Sequence, residues 1–402
     1  MTEHSTDDSY HEKAEQIALP QNIFFALMTR SGLVKPGGPA VLTAGLVFVA
    51  LTLLPLIIIC AMDGTAFAGK VKMPIFQDFT TLTRFLVVGP CLLLCEAVTK
   101  PWLLKVTQNF IKEKLIPEEK LENYQHLVKQ MFNLRESLAV EIAILLIAIV
   151  SSILFSKILI FTNLQPSSWY SDMSASGLSS MSSAGKWHTY VSQPLFRFLI
   201  LDWIFEYLLW IYFLLRVACF PPRIEALHPD GVGGLGFVGV GQTQFGIAAF
   251  ALSAAFCSVV ADAIITTGAT IQSFTNLGIA WVATLLVLFQ GPLLVFTPIL
   301  IRKKREAIFQ YSNLSRYTCD AFSKKWIPAK VKHGTDLLES DDASAIADLS
   351  ANFHTVQEMR TTIFWKQSIT SFLVCSCLPA IPLVASVMPL NELLEKLLKA
   401  IT

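Results

Sequence analysis

Residues 195–219 read LFRFLILDWIFEYLLWIYFLLRVAC, a run in which only Arg197, Asp202, Glu206 and Arg216 carry charge. About 20 mostly apolar residues carry a helix across the hydrocarbon of a bilayer, and this run exceeds that length. It predicts a membrane-spanning helix. Its charges pose the functional question, because a charge facing lipid costs about 2.5–3.5 kcal/mol on insertion scales.

Outward from this stretch, windows 38–62, 82–99, 138–160, 246–267, 277–301 and 363–388 meet or approach the same requirement. The expected fold is an all-α, polytopic membrane bundle of about seven spans. Composition agrees: 53% of the 402 residues are hydrophobic and 15% charged, where a soluble domain carries about 25% charged residues. A formal net charge of +1 leaves no field to attract nucleic acid. The expected partners are therefore the lipid bilayer, small ions and a second copy in a homo-oligomer. The last window contains Pro379 and Pro382, which leaves open one kinked span or two re-entrant half-helices.

Orientation follows from Lys and Arg placement. Segments sharing a side with the N-terminus (1–37, 99–137, 217–245 and 302–362) hold 21 of them, against 5 in the opposite segments. The N-terminus is expected inside and the C-terminus outside. The chain divides into a cytoplasmic segment 1–37, six spans over 38–301 with an inner helical hairpin at 101–137, a cytoplasmic helical segment 302–362, and a last span with an amphipathic tail over 363–402. Pro117-Glu118-Glu119 reads as a helix start within that hairpin, and Asp341 and Asp342 as a cap before another amphipathic helix. Asp7, Asp8, Glu12 and Glu15 precede any apolar run, so no cleaved signal peptide is indicated. Trp169, Tyr170, Trp187 and Tyr190 suit the headgroup belt.

This topology places Arg84, Arg197, Asp202 and Asp262 in the outer half of the membrane, Glu206 and Gln290 near its middle, and Glu96, Glu141 and Arg216 near its inner face. On a helix turning about 100° per residue, Asp202, Glu206 and Arg216 share an arc of about 80°. Acids one turn apart at that depth must face a cation, a cavity or a pore. Two readings follow: an ion or proton path along Asp202 and Glu206, or a structural ion-pair network with Arg84 and Arg197.

A second feature is His228-Pro229-Asp230-Gly231-Val232-Gly233-Gly234-Leu235-Gly236-Phe237. Glycine at this density permits positive φ and close backbone approach. The loop opens into a span, so it reads as a tight turn capping that span, or as a nest of amides for an anion, with His228, Asp230, Gly231, Gly233, Gly234 and Gly236 as binding or gating candidates. No GK[ST] follows, so it is no Walker loop. J-domains carry the same His-Pro-Asp triplet, but between soluble helices rich in Lys and Arg, a flank missing here. Pro292 and Pro298, after Gln290-Gly291, predict an ordinary kink, with a hinge, or freed carbonyls that coordinate an ion, as the functional alternative.

Ser31 to Gly37 (SGLVKPG), Ser168-Trp169-Tyr170, Gln193 to Phe198 (QPLFRF) and the loop from His228 to Phe237 together resemble a widespread group of bacterial multi-span membrane proteins. The resemblance runs from about Ser31 to the tail and implies a bacterial inner-membrane protein, with no activity to carry over.

The eight cysteines form no paired CxxC set, so no metal site and no cofactor are expected. No HExxH, Ser/Lys dyad or nucleophile elbow appears, which speaks against an enzyme. The sequence favours ion conduction or ion-coupled transport. The rivals are a non-catalytic membrane sensor or partner subunit and a membrane-embedded enzyme using Asp202, Glu206 or His228. No inverted repeat is visible, which weighs against the carrier version.

Overall fold

The computed structural model describes residues 40–67, 69–161, 168–173, 179–220, 222–327 and 341–385. The N-terminal segment 1–37, with its Ser31–Gly37 motif, and the amphipathic tail at 389–402 lie outside them. Within the described residues the chain is all-α apart from one two-stranded antiparallel ribbon, β1 (Ser171–Met173) with β2 (Ser179–Met181). Seven helices are long and apolar enough to cross a membrane, one for each predicted window, and the protein is a multi-pass membrane protein.

The first, α1 (Val41–Met62), bends where Pro55 enters its second half. Leu42, Leu46, Leu54, Ile58 and Met62 are exposed along it, while Ala44, Phe48, Leu56 and Cys60 are buried. The helix is apolar on both faces. In a bilayer the exposed stripe faces lipid tails and the buried residues face protein. Gly89 serves that packing directly, since a Cβ there would stand 2.1 Å from the Phe48 ring.

Helix α2 (Phe79–Lys112) outruns its predicted window at both ends. It turns back at Lys114, which takes φ 50°, into α3 (Glu118–Arg135). Tyr124 of α3 donates its hydroxyl to the Thr107 carbonyl at 2.7 Å and tethers the two antiparallel arms. Glu118 and Glu119 open α3 and Arg135 closes it, each charge complementing the helix dipole. A short turn leads to α4 (Leu138–Phe161).

After the ribbon, α5 (Ser183–Ala218) and α6 (Gly236–Thr267) form the centre of the bundle. Helix α5 packs on α4 and α2, and α6 on α2 and α9. Gly268 ends α6 in the left-handed conformation at φ 68°. Helix α7 (Ile271–Trp326) continues past the bundle as a basic arm over Thr297–Trp326, and α8 (Asp342–Glu358) packs back on it. Asp342 does not cap its own helix. It accepts from Lys325 and from the Trp326 indole of the arm. The last helix, α9 (Lys366–Ala385), runs on through a 3-10 turn at Leu378–Ala380, so across the described residues Pro379 and Pro382 tighten one span rather than split it.

Two aromatic clusters knit these helices. Trp203, Tyr207, Phe245, Phe289 and Phe372 join α5, α6, α7 and α9, with ring centroids 5.1–6.3 Å apart. Phe110, Tyr124, Phe213 and Phe296 join α2, α3, α5 and α7. The headgroup-belt expectation needs correction for two of its rings. Trp169 and Tyr170 are buried against His188, whereas Tyr190 is exposed.

Candidate functional site

Four carboxylates from three spans converge on one guanidinium. Arg135, at the end of α3, lies 2.8 Å from Glu206 Oε1, 3.0 Å from Asp202 Oδ2, 3.5 Å from Glu141 Oε1 and 3.7 Å from Glu96 Oε1. Lys100, one turn after Glu96 on α2, pairs with it and lies 3.4 Å from Glu206. Asp202 and Glu206 stand one turn apart on α5, so both reach the same cation. Glu141 arrives from the first turn of α4. With Arg135 at 6% exposure and Asp202 at 2%, this is a buried network, and its ions meet each other instead of lipid. Burial alone would lower the Arg135 pKa, but the Glu206 and Asp202 carboxylates outweigh it and hold the guanidinium charged.

The acids were legible in sequence, but their expected partners were not. Arg84 and Arg197, the predicted counter-ions, lie away from this cluster and line a separate cavity with His188. Arg135 and Lys100 fall among the basic residues counted in the inner segment 99–137. The available signal was position, since each sits within three residues of a predicted window. Arg216, expected on the acidic arc, is exposed, about 15 Å along the helix from Glu206.

Asp262, an ion-path candidate in the sequence, caps a helix. Its carboxylate accepts the Phe79 and Thr80 amides at 2.9 Å each, two donors left unpaired at the N-terminus of α2. Gln290 is buried, and neither end of its amide has a hydrogen-bond partner among the described residues. The Pro292 kink appears as a 3-10 stretch, Gly291–Phe296, but its freed carbonyls are taken. Pro292 has no N–H for the Leu288 carbonyl four residues back, and the Tyr207 hydroxyl donates to that oxygen at 2.6 Å. Gln242 donates to the next carbonyl, Phe289, while accepting from the Trp210 indole at 2.8 Å.

The glycine loop makes a nest and fills it from within. Asp230 Oδ1 accepts from the Val232 amide at 2.8 Å and the Gly234 amide at 3.1 Å, and Oδ2 from the Gly236 amide at 2.8 Å. Asp230 therefore occupies the place that the sequence reading offered to an external anion. Burial alone would raise its pKa, but the amides of Val232, Gly236 and Gly234 hold it below the ordinary carboxylate value. His228 Nδ1 lies 2.9 Å from Oδ1 and 3.3 Å from the Asp230 amide. The amide donates to Nδ1, which accepts here beside the carboxylate. Gly231, Gly233 and Gly234 take φ of 66°, 70° and 92°, and a Cβ on Gly233 would stand 2.0 Å from Ile224. Arg360 clamps the loop from outside, donating to the Asp230 carbonyl at 2.7 Å while its amide donates to the Gly231 carbonyl at 2.8 Å.

Among the described residues no group of three or more His, Cys, Asp or Glu is arranged to hold a metal ion. No known family model, curated protein or solved structure matches the chain.

Proposed function

We propose that the protein moves protons or small cations across a bacterial inner membrane, with the Glu206–Asp202–Arg135 network as the element that changes state. One observation carries the reading: four carboxylates on spanning helices share a guanidinium supplied by α3, which is not itself a span. A cation held by four competing anions is not committed to one of them. Protonating one carboxylate, or seating a cation beside it, redistributes Arg135 among the rest. Because Arg135 closes α3, that redistribution pulls on the hairpin at one end of the bundle. Charged groups buried among spans are costly to keep unless they work or pair, and this arrangement does both. Positive-inside bias puts the hairpin on the cytoplasmic side. The glycine loop, latched by Asp230 and Arg360, acts in this reading as the rigid mount of α6, with no ligand-binding role.

Small-ion flux from liposomes carrying only the purified protein tests the proposal. A partner-subunit role is the second reading, favoured by the arm that α7 and α8 form beyond the bundle, where Phe309 and Tyr317 are exposed. It expects no flux from the protein alone.

A further inference from the structure

A cavity of about 360 Å³ opens beside Arg84 on α2 and His188 and Arg197 on α5. It shares no residue with the Arg135 cluster. We propose that it is a binding site for a phosphate-type oxyanion, supplied free or as a lipid headgroup. The inference stands apart from the transport reading.

Three donor groups line this cavity, and no protein acceptor meets them among the described residues. The Arg84 guanidinium lies over the Phe196 ring at 5.4 Å and that of Arg197 over the Phe155 ring at 5.2 Å. Neither is within ion-pair distance of a carboxylate. Ring faces attract a cation but accept none of the five N–H donors of a guanidinium. Two carboxylates, Asp78 and Asp262, also line the cavity, and both are already engaged. Asp78 accepts from the Thr81 amide and hydroxyl and from the Trp169 indole, and Asp262 from the two amides described above.

His188 supplies the independent observation. It is 6% exposed, enclosed by Phe85, Trp169 and Tyr170 with ring centroids 5.3–5.9 Å away. Its Nε2 faces the Gln193 amide nitrogen at 2.9 Å. With the amide so oriented that nitrogen donates, so Nε2 accepts and the proton sits on Nδ1. Nδ1 is buried and has no protein acceptor. The backbone is also altered at this place and matched on both helices. A π-helical turn covers Arg84–Val88 in α2 and another covers His188–Ser192 in α5, each beginning on a cavity residue. Such turns are rare and concentrate at functional sites. Two planar forks suit a tetrahedral anion with several acceptor oxygens.

The test has two arms. Purified protein in phosphatidylcholine nanodiscs is dialysed against radiolabelled inorganic phosphate. Protein extracted from membranes containing phosphatidylglycerol is weighed by native mass spectrometry for retained lipid. Wild type should bind phosphate saturably in the first arm, or keep phosphatidylglycerol in the second, and the arm that responds identifies the source. Arg84→Gln and Arg197→Gln should each lower that binding at least tenfold, and Arg197→Lys should recover part of it. Asp78 and Asp262, the carboxylates that attract Arg84, keep the amide donors described above in the Arg84→Gln variant, so both Gln variants should fold; a Gln variant that fails to fold would mean its arginine already serves as the necessary partner of a protein carboxylate, which overturns the site. Wild type that binds in neither arm, or binding unchanged in the Gln variants, overturns it as well.

Discussion

Replacing Arg135 with Gln removes the cation that four carboxylates share. Glu206 at 2.8 Å and Asp202 at 3.0 Å lose their nearest positive charge, and Glu141 its contact at 3.5 Å. Only Lys100 remains, and it sits on the Glu96 and Glu206 side. Removing one partner of a buried ion pair costs about 3–5 kcal/mol. At 1.4 kcal/mol per tenfold, the folded-to-unfolded ratio should fall by between about a hundredfold and a few thousandfold. Denaturant unfolding of the purified protein in detergent reads this directly. The design gains its force from a double-mutant cycle. Glu206→Gln alone removes an acid that Arg135 holds, so adding it to Arg135→Gln should restore part of the loss, with a coupling of about 0.5–3 kcal/mol. Adding Arg84→Gln or Arg197→Gln to Glu206→Gln should restore nothing, because both arginines line the other cavity. An Arg135→Gln protein as stable as wild type, or strictly additive effects of Arg135→Gln and Glu206→Gln, would refute the network.

Three further outcomes are expected. Gly233→Val should fail to accumulate or should melt far lower, since φ is 70° and the new Cβ would meet Ile224 at 2.0 Å, whereas His228→Ala should cost only the contact to Asp230; equal tolerance of both in a melting assay would show that the loop does not brace α6. The Asp230 carboxyl is held below its ordinary value, so its contribution is complete above the unfolded pKa of about 3.9 and disappears as pH falls through the folded value; the melting gap between wild type and Asp230→Asn should be flat from neutral pH down to about 4 and then close, and a gap closing already near pH 6 would contradict the nest. Cys319 is exposed on the basic arm of α7, so in a variant keeping only that cysteine an impermeant thiol reagent outside intact cells should leave it unlabelled, and efficient labelling would reverse the orientation.

The spans were legible because bilayer thickness imposes a length on apolar runs, a one-dimensional property that any window shows. That Asp202 and Glu206 face a common partner was also legible, since four residues along a helix return to the same side. Their partner was not. Arg135 reaches them across 67 and 71 positions of chain, from the end of a hairpin whose docking against the spans no periodicity encodes. The same limit hid the fate of Asp262, whose carboxylate caps a helix 182 and 183 residues earlier. The glycine loop illustrates a different gap. Its nest was predicted from composition, but that Asp230 would fill it depends on three amides curling around one side chain, a matter of φ at Gly231, Gly233 and Gly234. Aromatic residues in a span-flanking loop suit the interface and the core equally, and the packing of Trp169 and Tyr170 against His188 of α5 puts these two in the core.

Flux through the protein alone tests the central claim most directly. Purified wild type and Glu206→Gln are reconstituted at equal density into sealed liposomes, an ion gradient is imposed, and proton and cation movement are followed by a trapped pH indicator and an ion-selective dye. The account predicts flux above empty liposomes for wild type. It predicts lost or altered flux for Glu206→Gln, with Asp202→Asn behaving similarly and both variants inserting normally. Wild-type liposomes no leakier than empty ones, or a Glu206→Gln protein conducting as wild type does, would contradict it.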